Sequence, residues 1–148
     1  MKNFKELRRS KGWVVILATV VGLSFGTYTF VNRAVTTQVY VTNCGMQEYK
    51  PDSITQYCAD AGVSVDSIEW ESWSKDGALG KGIYHVNDCE PSCYEGKFHE
   101  ADVEIRLSKV KTINGKPTLT FIMITTKDKK NLPLETTPIN QWPLELAG

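Results

Sequence analysis

The sequence of 148 residues lacks several features that would assign it to a common functional class. Its 17 Lys and Arg residues balance its 17 Asp and Glu residues, so the basic excess typical of nucleic-acid-binding proteins is absent. Only two histidines are present, and there is no G-x-S-x-G nucleophile motif, glycine-rich phosphate loop or calcium-loop spacing. The sequence therefore predicts no nucleic-acid partner, no cofactor and a protein without enzymatic activity.

What is present begins with a run of 21 uncharged residues, from Gly12 to Asn32. A helix of that length covers roughly 30 Å, the hydrocarbon thickness of a bilayer. Five basic residues precede the run, and only Arg33 follows it before Lys50. The positive-inside rule then predicts a basic cytoplasmic stub at 1–11, a single-pass transmembrane signal anchor at 12–32 and an extracytoplasmic remainder.

A cleaved signal peptide is the alternative interpretation of this segment. Its most apolar part, Trp13–Leu23, has the length of a signal-peptide core, and Ser24-Phe25-Gly26 has a small-x-small cleavage pattern. Apolar residues continue as far as Val31, which favours an uncleaved anchor in the cell membrane. Both alternatives, anchored or secreted, leave the same domain outside the cytoplasm.

Small residues recur every fourth position within the run. Ala18, Gly22 and Gly26 would share one face of a helix and allow a second helix to approach closely. The partner predicted for this segment is therefore the lipid bilayer, and packing of a second helix on this face is the alternative.

All four cysteines, Cys44, Cys58, Cys89 and Cys93, follow the apolar run. An even number of cysteines outside the cytoplasm predicts two disulfides. Three pairings can form, and closure between neighbours in sequence favours Cys44–Cys58 and Cys89–Cys93.

A metal site is an alternative use of the last two cysteines. His85, Cys89, Cys93 and His99 form an H-x3-C-x3-C-x5-H series, which is not a standard zinc spacing. Because an exterior location also favours oxidised cysteine over thiolate, we expect no metal here.

The exterior part has the alternation and turn signals of a β protein. Lys75-Asp76-Gly77 and Asn114-Gly115 are hairpin signals. Six or seven strands without an amphipathic helix predict a mostly β fold, a small antiparallel β-sandwich or barrel-like domain at 33–126. Strands are expected at 35–42, 53–58, 67–74, 78–86, 103–108 and 118–126.

A proline-containing C-terminal tail is expected at 127–148. Pro133, Pro138 and Pro143 argue against a regular element there, because proline cannot donate to a strand ladder. The apolar residues Leu132, Ile139, Trp142 and Leu144 can still dock this tail onto the domain.

Charge is divided unevenly along the exterior part. Residues 48–104 hold 13 acidic and 4 basic residues, whereas residues 106–130 hold 7 basic residues and one acidic residue. Such a division can orient a domain against a charged partner or surface. The alternative is that the two segments neutralise each other through cross-strand pairs.

Trp70 and Trp73 are the most distinctive side chains. Three residues apart on a strand, they are expected on opposite faces, with one in the core and the other exposed to a ligand or protein partner. Gly80 and Gly82, on the next expected strand, leave room for large neighbours such as these.

Hydrolysis is the alternative activity. A hydrolase would need His85 or His99 beside a carboxylate, for which Asp60 and Asp88 are the candidates, and these side chains would have to meet in one cleft. As acids near turns, both aspartates equally suit hydrogen bonding to their own loops.

Residues 44–107 contain a series of short motifs at fixed spacing. They are Cys44-Gly45, Lys50-Pro51, Cys58-Ala59-Asp60, Ile68-x-Trp70-x-x-Trp73, Ala78-x-Gly80-x-Gly82, Asn87-Asp88-Cys89-x-Pro91-Ser92-Cys93 and Gly96-x-Phe98-His99. In these motifs the sequence resembles a family of small secreted or membrane-anchored actinobacterial proteins that has no assigned activity. The resemblance implies an envelope location and this cysteine framework, and it supplies no catalytic residue. We therefore expect a non-enzymatic cell-envelope protein whose partner is another envelope protein or a cell-wall component.

Overall fold

The computed structural model describes residue 16 and residues 18–24, 26–28, 38–59 and 62–144. The chain divides into two compact units, Met1–Thr37 and Gln38–Gly148. The predicted stub at 1–11 and the candidate Asp60 lie outside the described residues, and the run at 12–32 is described in part.

The described residues of the first unit are helical. Ala18, Gly22 and Gly26 all lie in this helical segment, at the spacing that puts them on one face. The apolar side chains of Val21 and Leu23 are exposed by 64% and 70%. No helix among the residues described in this unit, which are interrupted at 17 and 25, is long and apolar enough to cross a bilayer.

The second unit is a single curled sheet of eight strands. The prediction of a mostly β, barrel-like domain is therefore confirmed, and the alternative of a two-layered sandwich is wrong. The sheet order is β2-β1-β7-β6-β5-β4-β3, with β8 paired to β7 as well. The strands are β1 (Tyr40–Asn43), β2 (Met46–Glu48), β3 (Ile54–Thr55), β4 (Val63–Ser74), β5 (Gly77–Asn87), β6 (Phe98–Ile113), β7 (Lys116–Thr126) and β8 (Ile139–Pro143).

Strands β4 to β7 form an antiparallel meander, and both predicted hairpin turns are confirmed within it. Asn114 and Gly115 join β6 to β7 with φ angles of 50° and 75°, the left-handed values of a two-residue hairpin turn. The β4–β5 turn ends at Gly77, whose φ is 141°. A Cβ atom at this position would lie only 2.7 Å from the Leu107 carbonyl oxygen.

β7 is the central strand, as its apolar composition predicts. One edge pairs with β6, and the other edge pairs first with β1, at Thr118 and Leu119, and then with β8, from Phe121 to Thr125. The β1–β7 pairing is parallel, whereas the sequence predicted an antiparallel fold throughout. The prediction that β7 is covered on both faces is wrong, because Met123 and its outward-facing neighbours are only half-buried.

The prediction that the tail contains no regular element is wrong, because β8 lies within it. Its prolines are tolerated because Pro138 precedes the strand and Pro143 ends it. Trp142, paired with Ile122, is only 5% exposed. The expected docking is confirmed for Leu132, Trp142 and Leu144, which are buried, while Ile139 remains 45% exposed.

The hydrophobic core lies on the concave face of the sheet. Inward and outward side chains alternate along β5, so Tyr84 and Val86 both face the core; they pair with Ala101 and His99 of β6. Tyr84 is completely buried, and this burial raises the pKa of its phenol. The largest of the other fully buried side chains come from β3, β6, β7 and the tail: Ile54, Ile105, Leu107, Leu119, Ile122, Ile124 and Leu132.

Candidate binding surface

The two ends of the curled sheet meet at a seam between the β1–β2 hairpin and β3. We define this seam by residues 39–44 on one side and 51–58 on the other. The disulfide Cys44–Cys58 joins its two sides, as the sequence predicted. The Asn43 side chain donates to the Ser53 carbonyl oxygen (3.1 Å) and accepts the Thr55 N–H (3.2 Å). Side-chain bonds and a disulfide therefore close the barrel where no strand ladder does.

Trp70 and Trp73 close the same seam from β4. The Trp70 indole N–H donates to the Pro51 carbonyl oxygen (2.7 Å), and the Trp73 indole N–H donates to the Val39 carbonyl oxygen (2.9 Å). Both rings are half-buried against the core, with centroids 4.7 Å apart in an edge-to-face arrangement. The Trp73 indole therefore joins β4 across the seam to the β1 side, whereas the Trp70 indole joins β4 to the segment before β3 on its own side.

The prediction that these tryptophans lie on opposite faces is wrong because β4 contains bulges. Trp70 pairs with Gly80 and Trp73 with Ala78, so three residues of β4 span two of β5. The extra residue restores both indoles to the concave face. Gly80 provides the predicted space, because a side chain there would lie 2.9 Å from the Trp70 ring.

Tyr49 is the exposed member of this aromatic cluster. Its ring stands edge-to-face on Trp73, with centroids 5.9 Å apart, and the side chain is 48% exposed. The Lys50 ammonium lies 5.7 Å from the Tyr49 ring centroid. A ligand at the predicted tryptophan surface would therefore meet Tyr49 and the outer edges of the two indoles.

The loop at 88–97 is organised by its own polar groups and the disulfide Cys89–Cys93, which confirms the second predicted pairing. Because these sulfurs are bonded to each other, they are not thiolate ligands for a metal. Asn87 accepts the Cys89 N–H (2.8 Å) and donates to the Cys93 carbonyl oxygen (3.0 Å). A side chain at Gly96 would lie 2.1 Å from the Asn87 amide oxygen, so the loop requires glycine there.

Asp88 is the second organiser of this loop. Its carboxylate accepts the N–H groups of Lys97 (2.8 Å) and Glu90 (3.2 Å), and its other oxygen lies 3.2 Å from Nε2 of His99. The Lys97 bond, then those of Glu90 and His99, lower the pKa of Asp88 below the usual aspartate range.

This lowered pKa predicts how the loop responds to acid. A carboxylate with a lower pKa in the folded state stabilises it above the unfolded pKa of about 3.9, and this contribution disappears as pH falls through the folded value. We expect the amide resonances of Glu90 and Lys97 to stay constant from neutral pH to about pH 5 and then shift with a midpoint below about 3.9. Amide NMR across a pH titration measures this, with Asp88→Asn as the control that removes the transition. A midpoint at or above the unfolded value would contradict the assignment.

Of the predicted hydrolytic pairs, the structure brings together only His99 and Asp88 among the residues it describes. Asp88 has its carboxylate engaged by the loop backbone, as in the structural alternative. The Ser92 hydroxyl of the same loop donates to the Glu95 carboxylate (3.2 Å). The contact between His99 and Asp88 is therefore part of the hydrogen bonding that holds the loop at 88–97 in its conformation.

His85 occupies a separate site on the convex face. It lies between two carboxylates, with Nε2 3.6 Å from Asp66 and Nδ1 3.3 Å from Glu100. Ser64 donates its hydroxyl proton to Asp66 at 2.8 Å. A catalytic triad needs the imidazole between hydroxyl and carboxylate, whereas here the carboxylate is between hydroxyl and imidazole. A shallow depression of about 390 Å³ is lined by Thr55, Ser64, Asp66, His85 and Phe98.

The convex face of β4, β5 and β6 carries a group of carboxylates that we call the acidic face. Lys81 stands near its centre, with Glu69 and Glu104 opposite on the neighbouring strands and Glu71 as its salt-bridge partner. The contact with Glu71 contributes most to raising the pKa of Lys81. The acidic face comprises Asp66, Glu69, Glu71, Glu100, Asp102 and Glu104.

Neutralisation between the acidic and basic segments is confirmed only in part. Lys127 and Lys130 line a cavity of about 540 Å³ together with Glu100 and Asp102, so these lysines lie near the acidic face. On β7, by contrast, the residue opposite Glu104 is Thr125, an uncharged neighbour. The acidic face thus keeps much of its charge exposed.

The comparisons with known proteins find no relative. No protein-family model matches the sequence, and no curated protein or solved structure matches it significantly. The resemblance of residues 44–107 to actinobacterial envelope proteins stays a prediction. Among residues 38–59 and 62–144, no group of three or more His, Cys, Asp or Glu side chains is arranged to hold a metal ion.

Proposed function

We propose that this protein is a membrane-tethered, extracytoplasmic binding domain of the cell envelope, without enzymatic activity. The uncharged run at 12–32 and the basic residues before it support a single-pass anchor with its N-terminus in the cytoplasm. Two disulfides support an oxidising compartment for the domain. Exposed apolar residues such as Leu23 in the described part of the run are the kind that a bilayer would cover.

The acidic face is the observation that supports binding. It presents carboxylates from three neighbouring strands of a rigid sheet, and Lys81 is the central cation among them. Like charges on one face repel each other, which destabilises the free domain and favours a cationic partner. We propose that the face binds a Lys- and Arg-rich segment of another envelope protein.

Crosslinking from the centre of this face tests the proposal. Ile83 lies between Asp66 and Asp102 on the neighbouring strands, so a photo-crosslinking amino acid at this position would contact a bound partner. In cells producing the full chain, we expect a discrete adduct from position 83 and none from the exposed Leu134.

Charge variants make this test specific. Glu69→Gln with Glu104→Gln should reduce the adduct about fivefold or more, since charge complementarity drives the encounter. The matched control, Glu90→Gln with Glu95→Gln, removes two acids from the loop at 88–97 and should leave the adduct unchanged. Equal adducts from positions 83 and 134, or equal losses in both variants, would contradict the proposal.

A further inference from the structure

The β6–β7 hairpin extends beyond the end of β5 and carries its own charge, and the Gln47 side chain of β2 donates to the Ile113 carbonyl oxygen at its turn (3.1 Å). Pairing of β5 with β6 ends at Leu107, whereas β6 continues to Ile113 before turning into β7. We call residues 108–118 the protruding hairpin. Its three lysines, Lys109, Lys111 and Lys116, are exposed, and residues 105–127 contain no acidic residue.

Two of these lysines are held in place by aromatic rings. The Lys109 ammonium lies 3.8 Å from the Phe121 ring centroid, and the Lys116 ammonium lies 4.8 Å from the Tyr40 ring centroid. Such cation–π contacts restrict long side chains that otherwise sample many rotamers. Val110, between two of the lysines, is 46% exposed. The hairpin thus presents fixed positive charge together with an exposed apolar side chain.

The chain enters the domain at this same end. β1 runs parallel to β7, with Tyr40 opposite Thr118, so Gln38 and Val39 lie towards the turn of the hairpin. The uncharged run ends at Asn32, and the extended chain from there to Gln38 reaches about 20 Å at most. A domain tethered through that run would therefore present its protruding hairpin near the bilayer surface.

We infer that the protruding hairpin docks on an anionic bilayer surface, with Lys109, Lys111 and Lys116 contacting lipid headgroups. This inference rests on the membrane tether of the proposed function. Basic side chains close to an anionic leaflet are attracted to it, and an exposed apolar residue among them adds interfacial contact. The acidic loop at 88–97 lies at the opposite end of the sheet, so docking through the hairpin keeps its carboxylates away from the anionic surface.

Lysine acylation of the full chain in nanodiscs tests the inference. We expect Lys109, Lys111 and Lys116 to react about threefold or more slowly in discs containing phosphatidylglycerol than in phosphatidylcholine discs. Salt at about 0.5 M should remove the difference because it screens surface charge. Lys127, Lys129 and Lys130 are the internal control and should react at the same rate in both discs.

Backbone exchange provides a second measurement. Ile113 and Lys116 flank the two-residue turn as a hydrogen-bonded pair, so Val110 and Thr112 direct their N–H groups away from β7. We expect slower hydrogen exchange at these two amides in anionic discs, lost in K109Q/K111Q/K116Q and retained in K127Q/K129Q/K130Q.

Three results would overturn the inference: equal acylation in both discs, equal slowing of the control lysines, or protection that arises only in cell membranes and not in pure lipid. The last would assign the hairpin to a protein partner. Failure of the tether is distinguishable, because the chain would then not co-purify with neutral discs, whereas failure of hairpin docking leaves co-purification intact.

Discussion

Replacing Cys44 and Cys58 together by serine should lower the free energy of unfolding by about 3 kcal/mol. The two residues are separated by 14 positions, so their bond closes a loop that gains considerable freedom in the reduced, unfolded chain. The bond also crosses the seam, where the Asn43 side chain and the Trp73 indole make the other connections. Denaturant unfolding of the oxidised protein measures this loss.

The second disulfide is the matched comparison. Cys89 and Cys93 are separated by only 4 positions, so the same relation gives about 2 kcal/mol for Cys89→Ser with Cys93→Ser. The effect of removing this bond should also be local: the rates of amide hydrogen exchange should change within 88–97 and stay the same at the seam. An equal or larger loss from this pair than from Cys44 and Cys58 would show that the first bond does not hold the seam.

Trp73→Ala should cost about 3 kcal/mol, because it removes a large ring from the core margin together with its hydrogen bond to Val39. Trp73→Phe keeps most of the ring and should lose about 1 kcal/mol, the usual net contribution of one hydrogen bond. Tyr94→Ala is the control, since that ring is 98% exposed and its removal should change stability by less than about 0.5 kcal/mol.

A double-mutant cycle with Trp70→Ala separates the aromatic contact from burial. The edge-to-face arrangement at 4.7 Å predicts a coupling of about 1 kcal/mol between the two tryptophans. Additive effects of the two substitutions would mean that the rings act independently. A Trp73→Ala variant as stable as Tyr94→Ala would refute the role of Trp73 in closing the seam.

Local signals in the sequence were sufficient for the meander and for the cysteine pairing. Alternation at Val103, Ile105 and Leu107 identifies an inward face, and Asn114-Gly115 specifies its turn, because both features act between neighbours in sequence. β2 was not predicted from the sequence. It follows a two-residue turn at Cys44 and Gly45, whose φ angles of 48° and 82° are left-handed like those of the predicted turn at Asn114 and Gly115.

Features that depend on distant partners could not be predicted. A bulge in β4 reverses the facing of Trp73, and nothing in the alternation of that strand indicates where the extra residue lies. β8 forms because β7 has a free edge beyond β1, which outweighs the poor strand composition near Pro143. Predicting the acidic face would have required the register of three strands, because its carboxylates are widely spaced in the sequence.

The parallel pairing of β1 with β7 has a consequence for the order in which the fold assembles. Tyr40 is synthesised long before Thr118, its partner in the sheet, whereas each strand of the β4–β7 meander meets its neighbour within a short stretch of chain. Contacts between distant residues form slowly because loop closure costs entropy before any contact compensates for it. The meander is thus the natural nucleus, and β1, paired on one edge with β2, has the N–H and C=O groups of its other edge exposed until β7 is available to pair. The interval in which this nascent edge can pair wrongly is set by the length of chain between residues 43 and 118.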